Sequence, residues 1–272
     1  MVHVITACCN RKEITKKFIL CLKNQSIKDI HLILVDDNST DGTVEMAESI
    51  FDNITIIHGN GNLWWGGAMH QSYLWIKKQN FSPDDIVFVS NDDSVYEREY
   101  IEKACKVLEN TKKTLLAGIG YSLENEERFD GATYYDERVG SYTLLPSGAY
   151  GNVCTTRSLF LRLSDYLQIG GFHPILLPHY LSDYEYTYRA YRKGFKIVSD
   201  DTVAYYSDRS KTGIKKEQGL TLKELFSKKC PFNPIYKINY TLLITPIFKW
   251  PLQLYRQIRR FGTHAKMVGN KK

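Results

Sequence analysis

The chain alternates short apolar runs with amphipathic helical stretches. VHVITA (2–7) has the run of a strand, and a helical pattern follows from about Lys12 to Asn24. HLILVDD (31–37) is apolar without alternation, as expected of a strand covered on both faces. NSTDGT supplies turn chemistry, VEMAESIF reads as helix, and NITIIH (53–58) predicts a third strand. AMHQSYLWIKKQ (68–79) is helical, SPDD (82–85) is a turn and DIVFVS (85–90) a fourth strand. YEREYIEKACKVLEN (96–110) predicts another helix and TLLAGIG (114–120) another strand. Repeated βα units predict an α/β fold with a mostly parallel, doubly wound sheet.

Residues 121–150 are polar and rich in Gly and Tyr, which suggests an insertion or a short antiparallel excursion. TTRSLFLRLSDYL (155–167) predicts a helix, and GGFHPILLPHYL (170–181) a loop. DYEYTYRAYRKG (183–194) predicts a helix stopped by Gly194, followed by strands in FKIVSD (195–200) and TVAYY (202–206). SDRSKTGIKKEQG (207–219) is expected to be a mobile basic loop. From about Leu220 the pattern is helical, interrupted by Pro231, Pro234, Pro246 and Pro251. The apolar run INYTLLITPIF (238–248) is too short for a bilayer span, which takes about 20 residues. KWPLQLYRQIRRFG has the mixture of an interfacial helix; its apolar face would otherwise pack on the domain.

A length of 272 residues allows one large α/β domain with a tail, or two modest domains. Six cysteines form no C-x-x-C pair and no zinc spacing, and MVHVITACCN is no signal peptide. Free thiols in a reducing, cytoplasmic compartment are therefore expected. Charge changes the picture more. Residues 209–272 hold 15 Lys and Arg against two acids, whereas residues 1–208 hold 21 basic and 28 acidic residues. An acidic body with a basic, aromatic-rich tail suggests an anionic membrane surface as the tail's partner, against the plainer alternative of a solvated tail. No nucleic-acid partner is expected, and a homodimer stays open.

Two carboxylate pairs, Asp36–Asp37 and Asp92–Asp93, each follow an apolar strand. In parallel strands both would lie at the carboxyl edge of the sheet, where open α/β sheets bind ligands. Such pairs suit a divalent cation that recruits an anion. Alternatively, an Asp after a strand starts a turn.

With these pairs on the page, T-x-x-x-N-R (Thr6 to Arg11), LVDDNSTDGT (34–43) and SNDDSVY (90–96) together resemble a family 2 glycosyltransferase with the GT-A fold, across roughly residues 2–206. The resemblance implies a catalytic domain over 1–206, with a donor half of about 1–120 and an acceptor half of about 121–206. It implies a metal-dependent, inverting transfer from a nucleotide-diphosphate sugar to a glycan, with Mn²⁺ or Mg²⁺ as cofactor. It places Thr6, Asn10 and Arg11 on the donor side. Asp37 stands where the family contacts the nucleobase or ribose, and Asp36 is its neighbour at the ribose and turn. Asn91-Asp92-Asp93 stands at the D-x-D-type motif, with Asn91 replacing the first acid, Asp92 at the sugar or ribose and Asp93 as metal ligand. Some related enzymes complete the metal site with a His after the last core strand; here Tyr206, Ser207 or Asp208 would stand in.

In LSDYEYTYRAYRKG (181–194), Ser182 and Glu185 match a capping box, Asp183 complements the helix dipole, and Glu185 and Arg189 form an i,i+4 pair. The resemblance adds a second role: Asp183, six residues before Arg189, occupies the position of the general base. The preceding IGGFHP (169–174) resembles the family's G-G-F-D segment, with His173 in place of the acid.

GNGNLWWGGAMH (59–70) lacks phosphate-loop spacing. By resemblance, Asn62, Trp64, Trp65, Gly66 and Gly67 flank the donor. One tryptophan would stack on the sugar while the other packs inward. Gly66 and Gly67 would let backbone approach the donor or start a helix without a Cβ clash. Asn152, His179 and Tyr184 are acceptor-side candidates. Cys154 reads as a small buried residue. The WWGG variety resembles bacterial rhamnosyltransferase-like enzymes of surface polysaccharide synthesis, implying a dTDP-rhamnose donor, with UDP-hexoses open; the basic tail suggests a lipid-linked acceptor at the inner face of the plasma membrane. A nucleotidyltransferase would carry a Gly-rich loop after the first strand, which ITACCNRKE lacks. A non-catalytic carbohydrate-binding protein is the other rival.

Overall fold

The structure, a computed structural model, describes residues 1–208 and 221–257. In chain order the strands are β1 (Val2–Cys8), β2 (Ile30–Asp36), β3 (Ile54–His58), β4 (Ile86–Ser90), β5 (Ser94–Val95), β6 (Thr114–Ala117) and β7 (Ile119–Ser122). They continue with β8 (Arg128–Asp130), β9 (Thr133–Asp136), β10 (Ser141–Leu144), β11 (Ser158–Arg162), β12 (Lys196–Val198) and β13 (Ala204–Ser207). The helices are α1 (Lys12–Lys23), α2 (Thr43–Ile50), α3 (Trp64–Ile76), α4 (Tyr100–Glu109), α5 (Leu163–Ile169), α6 (Ser182–Arg192), α7 (Leu222–Leu225) and α8 (Pro234–Ile244), with residues 250–257 forming α9.

Seven strands form the central sheet, in the order β12-β6-β11-β4-β1-β2-β3. β1 pairs in parallel with both β2 and β4, and β2 with β3; β11 runs antiparallel between β4 and β6. The expected α/β sheet is therefore present, with one reversed strand near its centre. Alternate residues feed two cores. Leu32, Leu34 and Phe88 pack under α1, α2 and α4, and Ile33, Val35 and Val89 under α3, α5 and α6. This two-sided covering explains the absence of alternation in HLILV.

The helix expected over 155–167 is a correction. Ser158–Arg162 is a strand, and only Leu163–Ile169 is helical. SLFLR satisfies either period, and pairing with β4 on one side and β6 on the other decides it. TLLAGIG is likewise two strands. At Gly118 the chain leaves the central sheet for a smaller one, ordered β5-β13-β7-β8, and a Cβ there would lie 2.3 Å from the Tyr100 hydroxyl. The helix expected over 68–79 begins earlier, at Trp64. Residues 121–150 do form antiparallel pairs, β7 with β8 and β9 with β10. The capping box is also corrected. Ser182 Oγ donates to the His179 carbonyl, Leu181 caps the helix with no side-chain bond, and Glu185 is used by Arg189. Of the expected basic loop 207–219, residues 209–219 lie outside the described residues, as does the tail beyond 257.

Candidate active site

The carboxyl ends of β1, β2 and β4 meet at one edge, as the parallel register requires. There the two Asp pairs do different work. Asp37 accepts from the amides of Gly61 (2.7 Å), Leu63 (2.8 Å) and Trp64 (3.3 Å), so its carboxylate organises the loop into α3. Asp36 is buried, accepting from the Ser39 amide and the Cys8 thiol. Asn10 takes a left-handed backbone, accepts from the Thr40 amide and so pins the turn after β2. Thr6 is buried within β1, its hydroxyl without a hydrogen-bond partner among the described residues.

The two tryptophans diverge. Trp65 donates its indole N–H to Thr156 (2.9 Å) and packs against the core under α3. Trp64, in a left-handed conformation (φ 58°), donates its indole N–H to Asn62 and lies 5.6 Å from the His179 ring. Asn62 also accepts from Lys228 (3.0 Å), and Lys229 sits 6.0 Å from the Trp64 ring. Gly66 donates its amide to the Pro178 carbonyl (2.8 Å), and a Cβ on it would lie 2.4 Å from the Leu177 carbonyl. What the glycine lets approach is thus the 177–178 loop, while Gly67 packs against Leu63.

At the end of β4, the Asn91 amide donates to the Arg157 carbonyl. Arg11 bridges Asp92 (3.0 Å) and Asp93 (3.2 Å). Asp92 faces inward: burial raises its carboxyl to about 6, with Arg11 opposing, and Thr15 donates to it. Asp93 is more open, and its Oδ1 has no hydrogen-bond partner among the described residues.

Arg157 was not singled out from the sequence. Burial works against its charge, but Asp130, Tyr205, Asp93 and Asp183 hold its guanidinium protonated. Its Nη1 is buried without a partner among the described residues. Asp130, also missed, accepts from Thr155 (2.5 Å) and Tyr205 (2.6 Å) behind it. Asp130 escaped because 121–150 carries no clear period, and Arg157 because it lies just before β11 in a stretch whose pattern predicts a helix. Asp183 opens α6, accepting from the Tyr184 amide at 2.9 Å. Burial raises its carboxyl to about 6, the Tyr184 amide and Arg157 lowering it and Asp130 raising it. A carboxylate so tuned suits proton abstraction near neutral pH.

On the acceptor side, Tyr184 stacks on Tyr142 (4.8 Å), which stacks on Tyr135 (4.7 Å). Asn152 locks Tyr135 in place, accepting from its amide and donating to its carbonyl. His179 is driven down to about 4 by burial and is neutral at pH 7. Burial holds the Cys154 thiol protonated, which removes it as a nucleophile.

Among the described residues no three Asp, Glu, His or Cys side chains gather as a metal cage. The buried, unpartnered Oδ1 of Asp93 fits the other arrangement, one carboxylate plus phosphate oxygens, which Mg²⁺ favours. β13 places Ser207 opposite Ser94, the residue after Asp93, so the segment expected to stand in for the missing His reaches this edge.

Residues 3–168 match the profile of glycosyl transferase family 2. No curated protein matches the chain. Similar solved structures include S. aureus TarS, at 18% identity and TM-score 0.58 over 77% of this chain and 37% of that one. GalNAc-T7 with UDP, GalNAc and Mn²⁺ aligns at 9% identity and TM-score 0.62, covering 88% of this chain and 48% of that one. The mannosyltransferase PcManGT from Pyrobaculum calidifontis, with GDP-Man and Mn²⁺, aligns at 14% identity and TM-score 0.54 over 99% of this chain and 81% of that one. The chain spans less than two thirds of the first two, and these likenesses support the GT-A fold.

Proposed function

The chain belongs to glycosyl transferase family 2, and from that premise we propose that it moves a sugar from a nucleotide-diphosphate donor to a glycan acceptor, with inversion. The observation that carries this reading is buried Arg157, whose charge is favoured first by Asp130 and Tyr205 and then by both Asp93 and Asp183, and whose Nη1 has no partner among the described residues. One guanidinium thus ties a candidate phosphate-side carboxylate and a candidate base into a single site.

Asp183 accepts the proton of the acceptor hydroxyl as its oxygen attacks the anomeric carbon, and the bond to the nucleotide diphosphate breaks on the opposite face. Asp93 would hold a Mn²⁺ or Mg²⁺, which would supply charge neutralisation for the departing diphosphate. Arg11 keeps Asp92 and Asp93 aligned, and the loop held by Asp37 presents Trp64 to the donor sugar. The half-buried ring of Trp64 suits the apolar side of a deoxy sugar, which favours dTDP-rhamnose; a UDP-hexose is the alternative. The Tyr135–Tyr142–Tyr184 stack beside Asp183 offers a wall for the acceptor glycan. That acceptor is lipid-linked in this reading, and the enzyme works in surface polysaccharide synthesis at the inner face of the plasma membrane.

The deciding experiment is a panel of nucleotide sugars assayed for hydrolysis and thermal shift, with Mn²⁺ and with chelator. One donor should raise the melting temperature and be turned over only with metal. If no nucleotide sugar does either, the transferase reading is lost. If one binds without turnover or transfer under any condition, the non-catalytic rival stands.

A further inference from the structure

The apolar residues of the C-terminal segment divide into two sets. On α8, Tyr236, Tyr240 and Ile244 face the domain and form a small core with Tyr135, Leu177 and Tyr188. The longest apolar run of the tail, 238–248, is thus used internally as far as Ile244. Beyond Pro246 the reverse holds. Ile247 is 71% exposed, Phe248 77%, Leu252 52% and Tyr255 61%. Four large apolar side chains open to solvent within nine residues exceed the scattered exposure normal for a surface.

These side chains are held on a built support. Trp250 donates its indole N–H to the carbonyls of Leu242 (3.2 Å) and Thr245 (3.0 Å), closing the end of α8. Gln257 donates to Thr241 (3.1 Å), which lays α9 back along α8. Gln253 and Gln257 take the inner face of α9, leaving Leu252 and Tyr255 on the outer one. Nearer the active site, Ile235 is exposed on α8, and Asn239 one turn later donates to the Leu176 carbonyl beside Ile175, which is 92% exposed. That loop continues to Leu177 and Pro178, against Gly66, and to His179, against Trp64. Residues 247–272 carry seven Lys and Arg and no acid.

We propose that Ile247, Phe248, Leu252 and Tyr255 form a docking face for an anionic phospholipid bilayer, with Ile175 and Ile235 extending it toward the active site. The apolar side chains enter the interface while Lys249 and Arg256, from the same stretch of chain, meet the headgroups. No helix of the described residues is long and apolar enough to cross a membrane, so this face lies on the bilayer. The inference deepens the reading of a lipid-linked acceptor and rests on it for its purpose: a docked face would bring such an acceptor to Asp183 from the membrane side.

The test uses the full chain with phosphatidylglycerol-containing vesicles and with neutral phosphatidylcholine vesicles, in co-sedimentation. The wild type should pellet with the anionic vesicles and largely stay in solution with the neutral ones. Phe248→Glu and Leu252→Glu, singly, should each cut anionic binding about tenfold or more, by losing apolar contact and adding repulsion. Both should keep the wild-type melting temperature and soluble-donor hydrolysis. Equal recovery with both vesicle types, or unchanged binding by both variants, overturns the proposal. So does a dimer in analytical ultracentrifugation that Phe248→Glu dissolves without any vesicle binding, which would assign the face to a second copy. Donor hydrolysis without vesicle binding sinks this inference alone, and vesicle binding without activity on any donor sinks the transferase reading alone.

Discussion

Asp183 stands under two opposed demands. Burial raises its carboxyl from 3.8 to about 6, which makes it a better base near neutrality and a worse buried group. The folded chain binds this proton more tightly than the unfolded chain. Its contribution to stability is therefore fully present below pH ~4 and lost as pH rises through about 6. Asp183→Asn should reduce transfer by ~10²–10⁴ while keeping nucleotide binding. It should also stabilise the fold at pH 8 by up to about 2 kcal/mol, and by less at pH 4, measured by chemical denaturation at both pH values. Wild-type turnover unchanged from pH 8 to pH 5 would remove Asp183 as the base. Arg157→Met takes away the cation that lowers Asp183, so the acid limb of kcat/KM should move to higher pH. The tryptophans should separate by readout. Trp65→Ala, which loses core packing and the Thr156 bond, should cost roughly 3 kcal/mol in unfolding. Trp64→Ala should leave stability nearly unchanged and raise the donor KM; an unchanged KM for every donor would make the pair structural.

Between elements, α3 packs closely against the loop at 177–178. Gly66 meets the Leu177 carbonyl with no room for a methyl group, and its amide is already committed to Pro178. Gly66→Ala should push the loop from the helix, costing about 2–3 kcal/mol in urea unfolding. Because the same loop carries His179 against Trp64, donor affinity should fall with it. A fully stable, fully active Gly66→Ala protein would show that the loop is free to move. The strand inside 155–167 teaches the complementary lesson. SLFLR is polar only at its two ends and so satisfies either period, and its neighbours β4 and β6 lie about 70 and 42 residues earlier, beyond what local pattern reports. Arg157 stayed hidden beside that strand and Asp130 in the irregular stretch 121–150, whereas Asp183 stood out because the family resemblance places the base six residues before Arg189.

Across the protein, the sheet edge that carries Asp92 and Asp93 holds a cation of its own before any ligand arrives, since Arg11 pairs with both. Mn²⁺ alone should therefore shift the melting temperature little. Mn²⁺ with the correct nucleotide diphosphate should shift it more than either alone, toward the roughly 2.7 kcal/mol that mass action gives at a hundredfold excess over Kd. An equal shift in chelator would argue against a cation at Asp93. The βα alternation, the two-sided sheet and the placement of both Asp pairs at one edge followed from apolar periods and parallel pairing alone, because these are properties of neighbours along the chain. Which Asp holds a loop, which lies buried and which stays open depended on partners distant in sequence: the amides of 61–64, Thr15 and Arg11. GNGNLWWGGAMH shows the division most clearly. Its composition marked two aromatics at a sheet edge, but only packing could send Trp65 to Thr156 and the core and turn Trp64 out beside His179, since that choice is made by residues about a hundred positions away.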